Sequence, residues 1–148
     1  MEQIQDVGHY VAMNKSLFQE WQKHRSKFSL QWLSYMQRRG KVRFVECHDE
    51  KVKILAECIE VTESITLKQK DAVRKDFLLV QCAWASDELI SSLDEKMRSL
   101  LSVLSSECAE IGSVVWVNPA REEDGAVEWA RAGARVEEHR KLRNWGAA

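Results

Sequence analysis

Apolar residues recur along this chain with two different periods, and the switches between them mark its elements. In HYVAMNKSLFQEWQK, residues 9–23, Tyr10, Met13, Leu17 and Trp21 fall at helical spacing, and Phe18 widens the stripe. The stretch before it, Glu2 to Val7, reads as a short edge strand or a lead-in. After KHRSK, Ser29 is placed to cap a second helix carrying Leu30, Leu33 and Met36, with Gly40 as its stop. The period then drops to two. Val42, Phe44 and Glu46 share one face, and Arg43, Val45 and Cys47 the other. DEK at 49–51 reads as a turn, and Val52, Ile54, Ala56 and Cys58 then alternate with Lys53, Leu55, Glu57 and Ile59. This predicts an antiparallel hairpin. The polar run at 65–75 reads as a loop or frayed strand, and DFLLVQCAW, 76–84, as a central strand buried on both faces.

The longest stripe lies within 87–111, where Leu89, Ile90, Leu93, Met97, Leu100, Leu101, Leu104 and Cys108 predict one long helix. Ser86 is its expected N-cap, Asp87 and Glu88 suit the positive end of its dipole, and Gly112 stops it. SVVWVN, 113–118, predicts another buried strand, closed by Pro119. Strand, helix and strand make a right-handed crossover between parallel neighbours. A last helix over 122–132 and a polar edge strand over 135–145 complete the order. The expectation is one domain spanning residues 1–148, of the α/β (α+β) class, with a mixed, mainly antiparallel sheet and one parallel crossover.

Composition narrows the function classes. With 148 residues, 45% apolar and 30% charged, a single core forms without staples. The net charge of -1 supplies no global field for nucleic acid. Basic residues do cluster, from Lys23 to Lys27, at Arg38, Arg39, Lys41 and Arg43, and in the C-terminal ARVEEHRKLRNW. Trp21, Trp32, Tyr35 and Trp145 lie among them as candidates for stacking bases, but they fall on apolar faces and read as core. The apolar run from Phe77 to Ala85 is too short for a membrane span, and MEQIQDVGHY lacks a basic-then-apolar signal. Cys47, Cys58, Cys82 and Cys108 have no CxxC spacing, so they read as buried free thiols of a reducing, cytoplasmic compartment and offer no metal site.

The element order resembles the acyl-CoA N-acyltransferase (GNAT) superfamily over nearly the whole chain. Its local support is GAVEWARAGARVEEHR, 125–140, where Trp129, Gly133 and Ala134 match a helix-to-strand corner common near the end of that family. In size and in this tail the chain is also similar to acyltransferase-like proteins of tailed phages. The resemblance implies acetyl-CoA as cofactor, bound where the central strand meets the long helix, at Ala85, Ser86 and Asp87. The family's Q/R-x-x-G-x-G/A loop presents backbone N–H groups there to the pyrophosphate. This chain reads CAWASDELISS instead, with no glycine and with Asp87 and Glu88 in the anion's place. Each carboxylate about 4 Å away opposes a phosphate charge by roughly 4 kcal/mol at an effective dielectric near 20. A helix terminus offsets at most about 2 kcal/mol of that. Trp129 also stands where the family often has an acidic tyrosine, and an indole N–H cannot protonate a thiolate.

Glu57 and Glu46, on the expected middle strands, are the general-base candidates, with His48 at their turn. No G-x-S-x-G elbow surrounds Ser86, Ser91 or Ser92. The degenerate loop favours a non-catalytic interaction protein on an acyltransferase-like scaffold, of the phage accessory or virion-component type, with a protein partner and no cofactor. The alternative is N-acyl transfer from acetyl-CoA through an atypical loop. The long apolar stripe is core in this reading, and its length also suits a homodimer interface.

Overall fold

Asn14 decides where the first of the expected helices begins. Its Oδ1 accepts the Leu17 N–H at 2.7 Å, so helix α2 runs Lys15–Lys23. The expected start at residue 9 is displaced, because Val11–Met13 forms strand β1 and Glu2–Val7 forms helix α1. This is a computed structural model, describing residues 1–24 and 26–146; Arg25 of the basic run and the last two alanines lie outside the described residues. Helix α3, Lys27–Arg38, begins one turn earlier than Ser29. Ser26 is the cap, and Ser29 answers it reciprocally from the third position. Trp32, Leu33 and Met36 are buried along α3 and, with Met13, form the core of the N-terminal part.

The expected antiparallel hairpin does not form. Val42–Phe44 is strand β2, but it pairs with β1, in parallel, with Val11 opposite Val42. Residues Asp49–Val61 form helix α4, and the DEK triplet is its first turn. The alternation of Val52, Ile54, Ala56 and Cys58 misleads because Val52, Leu55 and Ile59 also stand at helical spacing. Leu55 and Ile59 are buried, whereas Ile54 is exposed. The run expected as loop and central strand is one helix, α5, Leu67–Trp84. A capping box starts it, with Thr66 and Gln69 exchanging hydrogen bonds. Val73, Phe77, Val80 and Trp84 follow at intervals of three and four along its buried side. Lys70 is buried too, and its Nζ donates to the Glu60 carbonyl at 2.9 Å, closing the C-terminus of α4.

The stripe at 87–111 is likewise divided. Leu89–Ser91 is strand β3, Asp94 caps helix α6 (Glu95–Leu104) through the Met97 N–H at 2.9 Å, and Ala109–Gly112 is a short helix, α7. Met97, Leu101 and Leu104 are buried as expected, while Leu93 is 67% exposed in the turn before α6. Strand β4, Val115–Val117, pairs in parallel with β3, so the crossover exists with a different first strand. Both strand pairs among the described residues are parallel, and the mainly antiparallel sheet is replaced by these two separate pairs set among helices. The final edge strand is instead two 3-10 turns, touching β4 through one antiparallel bridge between Val115 and Lys141.

The last helix, α8, runs Ala126–Arg131 and stops at the expected corner. Gly133 has φ of +97°, and Ala134 follows at +51°, so two successive left-handed residues reverse the chain. Trp129 packs inward on Val115 and Val117, the second strand of the crossover, and its Nε1 donates to the Arg135 carbonyl at 2.8 Å. The largest core lies among α4, α5, α6, α7 and β4, with Trp116 and Leu142 fully enclosed.

Candidate functional site

The two strand pairs do not meet, and a cleft of about 970 Å³ opens between them. That volume lies at the upper end of the range of ligand pockets. Ala12 and Val45 line it from the first pair, Leu89 and Ser91 from the second. Its remaining wall comes from α1 and α8, which pack together; His9 Nε2 hydrogen-bonds the Ala130 carbonyl at 2.7 Å across that contact. Trp129, Gly133 and Ala134 lie on the same wall, so the corner legible in the sequence borders the cleft.

Of the residues singled out by sequence, Ala85, Ser86 and Asp87 reach the cleft rim. They do not open a helix, however. They leave the C-terminus of α5 and lead into β3. A helix C-terminus carries partial negative charge and presents carbonyls, the reverse of a pyrophosphate cradle. Ser86 Oγ in fact donates to the Cys82 carbonyl at 2.8 Å. Glu46 is exposed in the coil after β2, and Glu57 is exposed on α4; neither lines the cleft, and the two are not brought together there. His48 precedes α4 without a side-chain capping bond. Among the described residues no group of three or more His, Cys, Asp or Glu side chains is arranged for a metal ion, and no helix is long and apolar enough to cross a membrane.

Compared with known proteins, the chain matches no protein-family model, no curated protein and no solved structure. The site therefore stands on its own geometry.

Two clusters escaped the sequence reading. At the cleft mouth, Lys41 Nζ and Arg43 Cζ lie 4.2 and 3.7 Å from the centre of the Tyr10 ring. Hydrogen bonding to Arg43 and then Lys41, with their charges, pulls the Tyr10 phenol below its ordinary value. Nothing in a linear pattern joins residue 10 to residue 43; the parallel register of β1 on β2 does so.

The second cluster fills a smaller hollow of about 530 Å³ beside α6. Arg98, only 3% exposed, donates to Asp124 Oδ2 at 2.7 Å and to the Trp116 carbonyl at 3.1 Å. Asp124 Oδ2 also accepts the Asn118 N–H at 2.7 Å. The Arg98 guanidinium lies over the Trp145 ring at 3.5 Å, and Arg121 lies at 4.7 Å from the same ring. Burial opposes ionisation of Glu95, but hydrogen bonds from Asn118 and Arg121 and the charge of Arg98 outweigh it and hold its carboxyl below the usual range. These charges satisfy one another, so the hollow is a structural clamp between the crossover and the tail.

The aromatic residues considered for stacking bases are engaged elsewhere. Trp21 and Trp32 pack together with ring centres 6.1 Å apart, Trp32 is buried, and Trp145 is held by the two arginines. All four cysteines are free. Burial first, and hydrogen bonding with Cys58 second, push the Cys108 thiol up to about 12.

Proposed function

We propose that this chain is a non-catalytic interaction protein and that the cleft between its two strand pairs is where it binds. The observation carrying this reading is the composition of the cleft. It is large and mostly apolar, yet neither general-base candidate reaches it, and its loop at Ala85, Ser86 and Asp87 hangs from a helix C-terminus. A recognition site needs a shaped apolar surface with a few polar groups at its edge, and that is what these residues supply. The acyltransferase likeness rests on the parallel crossover and the Trp129–Gly133–Ala134 corner. An accessory or virion-component role is one form of this reading.

The alternative, N-acyl transfer from acetyl-CoA, is kept because Ala85, Ser86 and Asp87 do border the cleft. Two measurements separate the readings. Calorimetric titration with acetyl-CoA is expected to give no dissociation constant below about 1 mM. A photo-crosslinking residue at Val127, which lines the cleft from α8, is expected to give one discrete polypeptide adduct in cells producing the protein. Micromolar acetyl-CoA affinity with no polypeptide adduct restores the enzyme.

A further inference from the structure

The inner edges of both strand pairs turn unspent peptide groups toward the same cleft. Val11 donates its N–H to the Lys41 carbonyl at 2.8 Å, and the Met13 carbonyl accepts from Val45 at 2.9 Å, so both serve β2. Successive peptide groups in a strand point to opposite edges, so those of Ala12, between them, face the cleft that Ala12 lines. Opposite, Val115 donates to the Glu88 carbonyl at 2.9 Å and Ser92 donates to the Val117 carbonyl at 3.1 Å. Glu88, Ile90 and Ser92 thus serve β4, while Leu89 and Ser91 face the cleft. Among the described residues no strand joins the two edges.

The helical layers, by contrast, bridge the gap. Helix α5 touches both β1 and β3, and α1 meets α8 at the His9–Ala130 hydrogen bond. Only the strand layer is interrupted. The outer edge of β4 is treated differently from the inner ones. The tail covers it through the Val115–Lys141 bridge and the Leu142 N–H on the Val114 carbonyl. Covering is one way proteins protect a strand edge from chance pairing. The inner edges have no such cover: Ala12, Leu89 and Ser91 are small or apolar and uncharged, and Arg43, which also lines the cleft, is drawn onto the Tyr10 ring.

We propose that the cleft receives an extended apolar segment of a partner polypeptide, which hydrogen-bonds Ala12 on one side and Leu89 and Ser91 on the other and so joins the two pairs into one continuous sheet. The inference rests on the reading of the cleft as a recognition site and names its occupant. A strand added to an exposed edge gains affinity from main-chain hydrogen bonds and specificity from its side chains. Here α5 packs on both β1 and β3, and Leu89, Ala126, Trp129 and Ala130 give the cleft its apolar lining. The occupant is therefore a mainly apolar run of about five residues without proline, the composition of a buried strand.

Amide hydrogen exchange tests this on the whole chain. In the free protein the Ala12, Leu89 and Ser91 amides are expected to exchange freely, and those of Val11 and Ser92, which donate to the Lys41 and Val117 carbonyls, to be protected. The probe is a peptide of five alternating valines and isoleucines flanked by paired lysines. Saturating it is expected to slow the three cleft amides by at least about ten-fold. The same peptide N-methylated at alternate residues, which can pair along one edge only, is expected to lose the protection on at least one side of the cleft. Ser91→Pro, which removes a donor aimed at the cleft and none used by β4, is expected to weaken the peptide at least about ten-fold. Should that variant fail to fold, the N-methylated peptide makes the same test from the other partner. Met1 and Ile4 line the cleft as well, so the same apolar run fused ahead of Met1 is expected to protect the three amides and to block the free peptide. Protection of all three amides in the free protein, or peptide binding without their protection, overturns the proposal. A polypeptide adduct at Val127 combined with no peptide-induced protection overturns the strand mode alone and leaves the cleft as an interaction site.

Discussion

Asp124→Asn is the most informative single perturbation, because it keeps the shape of the side chain and removes only its charge. Asp124 and Arg98 have side chains 7% and 4% exposed, so their attraction is little screened by water. The carboxylate oxygen that meets Arg98 at 2.7 Å also takes the Asn118 N–H at 2.7 Å. An amide can keep its one carbonyl oxygen on both donors, but its NH2 then replaces the oxygen that faces the Arg121 guanidinium at 3.8 Å. Arg98 then keeps the Trp116 carbonyl and the Trp145 ring but loses its enclosed counter-charge, and its Nε already has no hydrogen-bond partner. Breaking a buried pair from one side costs about 3–5 kcal/mol. At a urea m-value near 2 kcal/mol/M, that lowers the unfolding midpoint by about 2 M. Removing both charges together, as Arg98→Met with Asp124→Leu, is expected to cost less than the sum of the two single substitutions, since no unpaired buried charge remains and only the Asn118 N–H and the Trp116 carbonyl lose a partner. Urea unfolding followed by tryptophan fluorescence reads both variants, with Trp116 enclosed and Trp145 on the guanidinium as reporters. A loss below about 1 kcal/mol for Asp124→Asn, or costs for the two sites that simply add, refutes the clamp.

Three further outcomes follow from the same geometry. Trp129→Ala is expected to lose about 3–5 kcal/mol in urea unfolding, and Trp129→Phe about 1–2 kcal/mol through the lost bond to the Arg135 carbonyl; equal costs would mean that packing on Val115 and Val117 contributes little. Gly133→Ala is expected to destabilise by roughly 1–2 kcal/mol, from its left-handed backbone alone since nothing lies within 4 Å of the added methyl, whereas Ala134→Gly, at φ +51°, is expected to stabilise by a few tenths to about 1 kcal/mol in thermal unfolding. Glu95 has a folded-state value held below the unfolded one of about 4.3, so its contribution to stability is present above that pH and is lost as the pH falls through the folded value. An acid titration of stability should accordingly fall less steeply for Glu95→Gln, and an unchanged acid limb would remove Glu95 from the network.

The parts of the fold that were legible are those where a single signal sufficed. SVVWVN is too short and too apolar for an exposed helix, and it is β4. Trp129 followed by Gly133 marks a helix ending in a left-handed turn, and both residues do what that pattern requires. The illegible parts are those where two periods fit the same residues. Between 52 and 59 the apolar set satisfies alternation and helical spacing at once. The choice falls to partners that sequence does not show, here the α5 face carrying Val73, Phe77 and Val80. At its C-terminal end α5 is apolar at every position of 77–84 except Gln81, which removes most of the amphipathic contrast that identifies a helix. At 87–91 two helix starts compete: Asp87 and Glu88 suit one, but Asp94 caps α6, and Leu89–Ser91 before it become β3. The candidate site was less legible still. Its rim at Ala85, Ser86 and Asp87 carries side chains that a sequence can suggest for a cofactor, while the groups proposed to hold a partner are main-chain atoms of Ala12, Leu89 and Ser91, which carry no side-chain signature.

That difference bears on how such a site arises. A site made of side chains constrains residue types, and a motif reveals it. A site made of backbone constrains only conformation and the absence of obstruction. Ala12, Leu89 and Ser91 meet that condition by carrying neither charge nor proline. Each strand pair also rests on its own core, β1 and β2 on Trp32, Leu33 and Met36, and β3 and β4 on Trp116, Trp129 and their neighbours. Neither pair depends on the other for burial, so the gap between them does not empty either core. Residues that hold the cleft open are therefore core residues far from it in sequence, and substitutions at Trp32 or Met36 should weaken binding there only as far as they weaken the fold.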